Sequence, residues 1–275
     1  MGRITILPET TKDPISLMGR RAGVCWGGNI ADPEKNYKRG LDCIKSNHGR
    51  VLEFVNVEMV LDGYSARVIR EWYTHIGGAP TRLQASTRYI DYNDFDYVIP
   101  DTIQRGSEEW DEFIETIAQI KVGLVKLNAL NVPREDLATL LPMAMTTKVV
   151  DKRNLRNLID MSRQRMCNRA YWEFRQLFKD ICAALSAYSD EWKYIIDTQM
   201  MPKCEYLGYC PEAKSCGRMK PATLSDKTFV VQKIESVKAA DAAIQALTRF
   251  ADDAEPASMW KPHDLLDDIT RGWHE

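Results

Sequence analysis

The greatest density of chemistry-bearing residues in this chain lies between Arg70 and Tyr89, REWYTHIGGAPTRLQASTRY. A helix-like segment runs into Gly77-Gly78, where the missing Cβ atoms let backbone approach a ligand closely. Arg82, Gln84, Ser86, Thr87 and Arg88 then fall within seven positions. Two guanidiniums, two hydroxyls and a loop of exposed N–H groups suit a phosphate-bearing ligand. The same residues fit a hairpin turn followed by a polar strand, and residue types alone do not separate the two readings.

A second concentration of charge lies at 148–175. Lys148, Lys152, Arg153, Arg156, Arg163, Arg165, Arg169 and Arg175 stand against Asp151, Asp160 and Glu173. The whole chain carries a net charge of −2, so it does not read as a nucleic-acid binder, and the basic block implies a local anionic ligand or partner. A solvated helix face with ion pairs is the alternative. On one helix, Asn154 and Arg165 differ by only about 20° in azimuth. Arg165 and Arg169 are an i, i+4 pair on that side. Such a helix points amide and guanidinium groups into one cleft.

Seven cysteines, an odd number in a chain of 275 residues, suggest a reducing cytoplasm rather than a disulfide framework. Cys204, Cys210 and Cys216 form a C-x5-C-x5-C series. Three thiols can hold zinc or an iron–sulfur cluster. The spacing is not that of a standard knuckle and no fourth ligand stands out, so the series is read as a packed loop or reducible thiols, and no metal is expected. No cysteine lies in the loop around Ser86, so thiolate attack is not suggested there. His48 closes a helical pattern, where an imidazole meets free carbonyls. His263 and His274 are assigned no role.

The elements that must position these groups follow from periodicity and punctuation. Hydrophobic residues make up 44% and charged residues 28%, which suits a globular chain. No apolar run approaches the roughly 18–20 residues of a bilayer span, and no secretory leader is read. Ala22 to Trp26 reads as a short buried strand. Asp32-Pro33 starts a helix carrying Tyr37, Leu41 and Ile44, which Asn47-His48-Gly49 ends. Val51 to Leu61 reads as a strand and Asp62-Gly63 as a turn. Ser65 caps a helix with Val68, Ile69, Trp72 and Tyr73 on one face. Ser107 caps a long amphipathic helix with Glu108 and Glu109 near its N-terminal dipole. Asn131 and Pro133 start a shorter helix that Pro142 stops. Met143 to Val150 is a strand or loop, Asn154 opens a helix, and helices follow over Tyr171 to Leu185 and Trp192 to Thr198. Residues 202–226 read as irregular, Lys233 to Phe250 as an Ala-rich helix, and the last 25 residues as a tail with Trp260 and Trp273. Helices and strands mix without a βαβα rhythm. The expected class is α+β, a mixed sheet packed with long helices, with a core domain over 1–200 and an irregular Cys-containing extension over 201–275.

Four segments, taken in order, resemble the flavin-dependent thymidylate synthases. They are Ala22-Gly-Val-Cys-Trp26; His48-Gly-Arg-Val-Leu-Glu53; Arg70 to Tyr89 with its Ser86-Thr-Arg-Tyr end; and Val132-Pro-Arg-Glu through Leu141-Pro142 and Lys148 to Asn154-Leu-Arg156, Arg165 and Tyr171-Trp-Glu173. The resemblance implies conversion of dUMP to dTMP, with a methylene from methylenetetrahydrofolate and a hydride relayed from NADPH through FAD. It implies that Glu71, Gln84, Ala85, Ser86, Thr87, Arg88, Lys148 and Arg165 hold dUMP. It places His75, Asn154, Arg156 and Arg169 at FAD, together with Cys25, Arg50 and Glu53. Arg165, Ser86 and His48 are its catalytic candidates. Arg165 would read the uracil edge and stabilise charge developing on the ring oxygens. Lys148 would meet the phosphate as a point charge. A cytoplasmic homotetramer with shared active sites is implied, without a membrane or nucleic-acid partner.

The chain departs from the family signature, Arg-His-Arg, a spacer, then Ser. Thr74-His75 and Ile76-Gly77 stand at those positions, and the spacer to Ser86 is longer by about two residues. Arg82 is the candidate to supply the missing guanidinium to the flavin. The altered loop keeps open a related reaction in which water traps the methylene and hydroxymethyl-dUMP is released. A nucleic-acid-binding relative without catalysis is a further alternative, resting on the basic block and the aromatic 89–98 segment.

Overall fold

A computed structural model of the chain describes residues 2–221. The helix expected from Lys233 to Phe250 and the tail with Trp260 and Trp273 lie outside the described residues. The class is α+β. Strands β1 (Arg3–Ile6), β2 (Asn56–Ser65), β3 (Thr81–Gln84) and β4 (Thr146–Asn154) form one sheet in the order β1-β2-β4-β3. Every neighbouring pair is antiparallel, where a mixed sheet was expected. β2 and β3 do run the same way, but β4 inserts between them, so no two parallel strands become neighbours.

Alternation along the central strands sorts their side chains. Val57, Met59 and Leu61 of β2 and Val149 of β4 are buried. They share a core with Val68, Ile69 and Trp72 of α3 (Ala66–Tyr73), Leu155 and Leu158 of α6 (Leu155–Arg165), and Phe174, Leu177 and Phe178 of α7 (Trp172–Tyr188). On the other face Lys148 pairs with Asp62 at 3.2 Å and Lys152 with Glu58 at 2.9 Å. Gly63, at φ 76°, sits at a one-residue register shift between Asp62 and Tyr64. Beyond it Tyr64 turns inward and its hydroxyl donates to Asp180 at 2.7 Å.

Ala22 to Trp26 is not a strand. It belongs to the end of helix α1 (Pro14–Cys25), because Ile15, Met18 and Ala22 recur at helical spacing and are all buried. α1 packs on α2 (Pro33–Lys45). Gly49–Phe54 is a 3₁₀ turn, so the strand expected from Val51 begins only at Asn56. A second core forms where Ile117 and Leu124 of α4 (Glu108–Ala129) meet Phe95, Leu137 and Met145. Leu137 ends the short α5 (Arg134–Leu137). After α7 come α8 (Asp190–Gln199) and α9 (Lys203–Leu207). The compact unit that holds the described residues runs through Pro221, so the segment just after residue 200 packs with it, α9 against α6. No helix among the described residues is long and apolar enough to cross a membrane.

Candidate active site

The site rests on a buried ion pair. Asp151 and Arg153 lie two residues apart on β4, in phase with buried Thr147 and Val149, and both point into the core. Arg153 donates from Nε and Nη2 to the two carboxylate oxygens of Asp151, each at 2.6 Å. Trp72 Nε1 donates to Asp151 Oδ1 at 2.8 Å, and the guanidinium of Arg153 lies over the Trp72 ring at 3.9 Å. Arg153 Nη1 also donates to Asn157 Oδ1 at 2.7 Å. A charge removed from water needs such complete pairing. The sequence reading placed Arg153 among the ligand-seeking bases. Its period-two phase with Val149 was the signal that it faces inward.

Above this pair, α3 and α6 hold a second cluster. Arg165 donates from Nε to His75 Nε2 at 3.0 Å and from Nη1 to Glu71 Oε2 at 3.1 Å, and its guanidinium lies 4.8 Å from the centroid of Phe174. Burial, then the positive charges of Arg165 and Arg153, push the His75 pKa down from its usual 6.5 to about 4. Glu71, His75 and Arg165 are therefore brought together. Phe174, which the sequence did not single out, forms one wall, with its ring centroid 6.1 Å from that of His75.

The Gly77-Gly78 loop packs on the start of α6. Asn154 caps that helix, its Oδ1 accepting from Asn157 N at 2.9 Å. A Cβ at Gly78 would stand 2.2 Å from Asn154 Nδ2, and one at Gly77 2.9 Å from Asn157 Nδ2. Only backbone without side chains fits against these amides. Further out, Arg156 donates to Glu53 at 2.6 Å and Arg50 stands 4.0 Å from the same carboxylate. A cavity of about 510 Å³ opens beside them, lined by Cys25, Trp26, His48, Arg50 and Phe54. His48 meets Trp26 edge to face at 5.8 Å.

The Gln84–Arg88 turn lies elsewhere. Gln84 pairs with Val149, and Ala85 N donates to Lys148 O at 2.8 Å. Ser86 Oγ accepts from Arg88 N at 3.2 Å, Thr87 lines a small crevice with Ile90 and Leu141, and Arg88 pairs with Glu135 at 3.0 Å. From Val149 to Asn154 the strand extends about 17 Å. One chain thus forms two clusters, Glu71–His75–Arg165 and Gln84–Arg88 with Lys148, while Asn154 stands at the other end of β4 from the second and about 16 Å along α6 from Arg165. Arg82 lies between them, donating to Tyr73 O at 2.9 Å with its guanidinium 4.5 Å from the centroid of the Tyr73 ring.

α6 ends at Arg165, with Met166 as its C-cap, so Arg169 is not on the helix as the i, i+4 spacing suggested. A turn closed by Ala170 N to Cys167 O carries Arg169 out to Glu212 at 3.1 Å. A cavity of about 410 Å³ lies there, lined among others by Arg163, Arg165, Arg169, Cys204, Cys210 and Cys216. No group of three or more His, Cys, Asp or Glu among the described residues is arranged to hold a metal ion.

Comparison with known proteins bears on this arrangement. The profile of the family described as Thymidylate synthase complementing protein, Thy1, matches residues 7–188. The flavin-dependent thymidylate synthase of Nitratidesulfovibrio vulgaris is 27% identical over 245 residues, covering 78% of this chain and 94% of that protein. The Pyrococcus horikoshii protein of the same name is 31% identical over 170 residues, covering 60% of this chain and 69% of the relative. The crystal structure of flavin-dependent thymidylate synthase ThyX from Helicobacter pylori, complexed with FAD and dUMP, shares the fold. Its TM-score is 0.58 at 16% identity, covering 72% of this chain and 99% of that one. The match runs through β2, α3, β3, β4 and α6, the elements that carry both clusters, and the chain belongs to the Thy1 family, the flavin-dependent thymidylate synthases.

Proposed function

We propose that this chain methylates dUMP reductively to dTMP, with methylenetetrahydrofolate as carbon donor and NADPH as the source of a hydride that passes through FAD. The observation that carries the reading is the position of Arg165. The residue that the family resemblance matches to the uracil-reading arginine is fixed between α3 and α6 within the family-matched residues. Bound FAD would supply the hydride-carrying ring. The chain's own residues supply binding and orientation.

The residues present fit a flavin nucleotide. Gly77 and Gly78, without side chains, bring the loop backbone directly against the Asn154 and Asn157 amides. Arg50 and Arg156, with a half-exposed Glu53 between them, place charge at the edge of the aromatic cavity that holds Trp26 and His48. Cys25 lines the same cavity. Arg169 would join from the turn after α6. Arg165 is preoriented by Glu71 and His75, so little reorganisation remains when it meets the uracil edge, where negative charge develops. His75 accepts from Arg165 and stays neutral near pH 7.

Ser86, Thr87, Arg88, Gln84 and Lys148 are assigned to the nucleotide, with the loop amides and Arg88 toward its phosphate. Arg88 is held by Glu135 and Lys148 by Asp62, both at the surface, where such pairs exchange readily for a phosphate. The family resemblance implies a homotetramer with shared sites, and the about 17 Å of β4 between this loop and Asn154 suits a site completed by a second copy. All seven cysteines are unpaired, which supports a cytoplasmic setting. The test is the absorbance spectrum of the purified protein, followed by dUMP-dependent NADPH oxidation and the mass of the product. A flavin spectrum with a product of dTMP mass is expected. A colourless protein, or a hydroxymethyl product, overturns the reading.

A further inference from the structure

Residues 203–221 lie beyond the stretch that the family profile matches, and they grip the basic segment 163–169 at several points. The Arg163 guanidinium stacks 3.9 Å from the centroid of the Tyr206 ring on α9. Arg218 donates from Nη1 to the Met166 carbonyl at 3.1 Å and from Nη2 to Asn168 Oδ1 at 2.8 Å. Its Nη1 also stands 3.4 Å from the Glu205 carboxylate, which steadies it from its own side. Glu212 holds Arg169 at 3.1 Å.

Met166 is the C-cap of α6, where the last carbonyls have no partner within the helix. A guanidinium there satisfies one of them and opposes the negative end of the helix dipole. Arg165 is the residue immediately before it. Its head is fixed by Glu71 and His75, and Arg218 fixes the backbone from which it projects. A side chain restrained at both ends loses little freedom on meeting a ligand.

We infer that Arg218, acting through Met166 and Asn168, is a positioning residue for Arg165, and that residues 203–221 form a wall of the nucleotide site. This rests on the reading of Arg165 as the uracil-binding arginine. Arg218 bonds to Met166 and Asn168, so its loss acts on Arg165 more directly than on Asn154, while Arg169, assigned to the flavin, is held separately by Glu212.

The test is dUMP affinity, measured by calorimetry on the full chain, together with steady-state kinetics, flavin content and melting temperature, for R218A, R218K and N168A. R218A is expected to weaken dUMP binding roughly tenfold and to raise the KM for dUMP in step, because two charge-assisted hydrogen bonds are removed. Flavin content should hold, and kcat should fall less than KM rises. R218K, which can remake one of the two bonds, should recover part of the affinity. N168A should show a smaller loss in the same direction. A purely structural role would instead lower flavin content and the active fraction while leaving dUMP affinity unchanged, and that result overturns the inference. Should R218A fail to fold, N168A, an exposed change, decides alone. A wild-type protein that binds dUMP but turns nothing over refutes the proposed activity, and the affinity series still judges Arg218. A wild type that does not bind dUMP refutes both.

Discussion

Arg165 donates from Nε to Nε2 of His75 at 3.0 Å, and that bond fixes the imidazole proton on Nδ1. Acidification should break the arrangement. The His75 pKa lies at about 4 in the folded chain against a usual 6.5, because of burial first and the two arginines second. Above 6.5 both folded and unfolded chains hold the imidazole neutral. As pH falls from about 6.5 towards about 4, the unfolded chain binds a proton that the folded chain refuses, so stability declines through that window. Melting temperatures at pH 7, 5.5 and 4.5 should fall more steeply for the wild type than for H75Q, which cannot take that proton. Parallel curves would show that His75 titrates as it does in water.

The Asp151–Arg153 pair carries a larger stability effect. In D151N the Trp72 indole can still find an acceptor, but Arg153 keeps a buried charge without its counter-ion. A loss of about 3–5 kcal/mol is expected in urea unfolding at constant slope. Replacing both residues by apolar side chains of similar volume should recover much of that loss.

Gly78 tests the loop. At φ 72° and with Asn154 Nδ2 only 2.2 Å from where a Cβ would stand, G78A must strain the backbone and displace the amide. A stability cost of about 1–3 kcal/mol should accompany a lower ratio of flavin to protein absorbance. G77A, whose Cβ would meet Asn157 Nδ2 at 2.9 Å, should be milder in both readouts.

A site shared between copies predicts complementation. R88A and R165A, expressed separately, should each be inactive. Co-expressed, they should form some sites that draw Arg88 from one copy and Arg165 from another, recovering up to about a quarter of wild-type turnover in a randomly mixed assembly. No recovery would mean that each site is built from one chain.

Arg82 is the residue that could replace the missing signature guanidinium. Its contacts lie with Tyr73, through the carbonyl at 2.9 Å and the ring at 4.5 Å, at the end of α3. R82A is therefore expected to lower stability by about 1 kcal/mol and to leave flavin affinity within twofold of wild type. A flavin dissociation constant raised tenfold would instead show that Arg82 supplies the missing guanidinium.

What was legible in the sequence was local. Asp32, Ser65, Ser107 and Asn154 each cap a helix through a side-chain oxygen that accepts from the N–H three residues on, at 2.9–3.3 Å. Those signals need only neighbours in the chain. Ala22 to Trp26 was misread because a short apolar run fits both periods, and only the phase of Ile15 and Met18 upstream settles it. Arg153 required knowing which side of β4 the core lies on, and the register against β2 decides that. The distance between the Gln84–Arg88 loop and Asn154 follows from β3 pairing antiparallel along β4, between partners as far apart in sequence as Gln84 and Val149, a choice that no local pattern encodes.

Gly63 has a consequence for which changes of length the chain can absorb. Val57, Met59 and Leu61 face the core, and the extra residue at Gly63 is what turns Tyr64 inward. It also sets Ser65 to cap α3 and to donate from its backbone N–H to Glu173 at 2.6 Å. Deleting that residue would flip the phase of the strand end and swing the origin of α3, carrying Glu71 and His75 off Arg165. The loop after His75 has no such register to keep, and it is tied down instead by contact, with Gly78 held at φ 72° against Asn154.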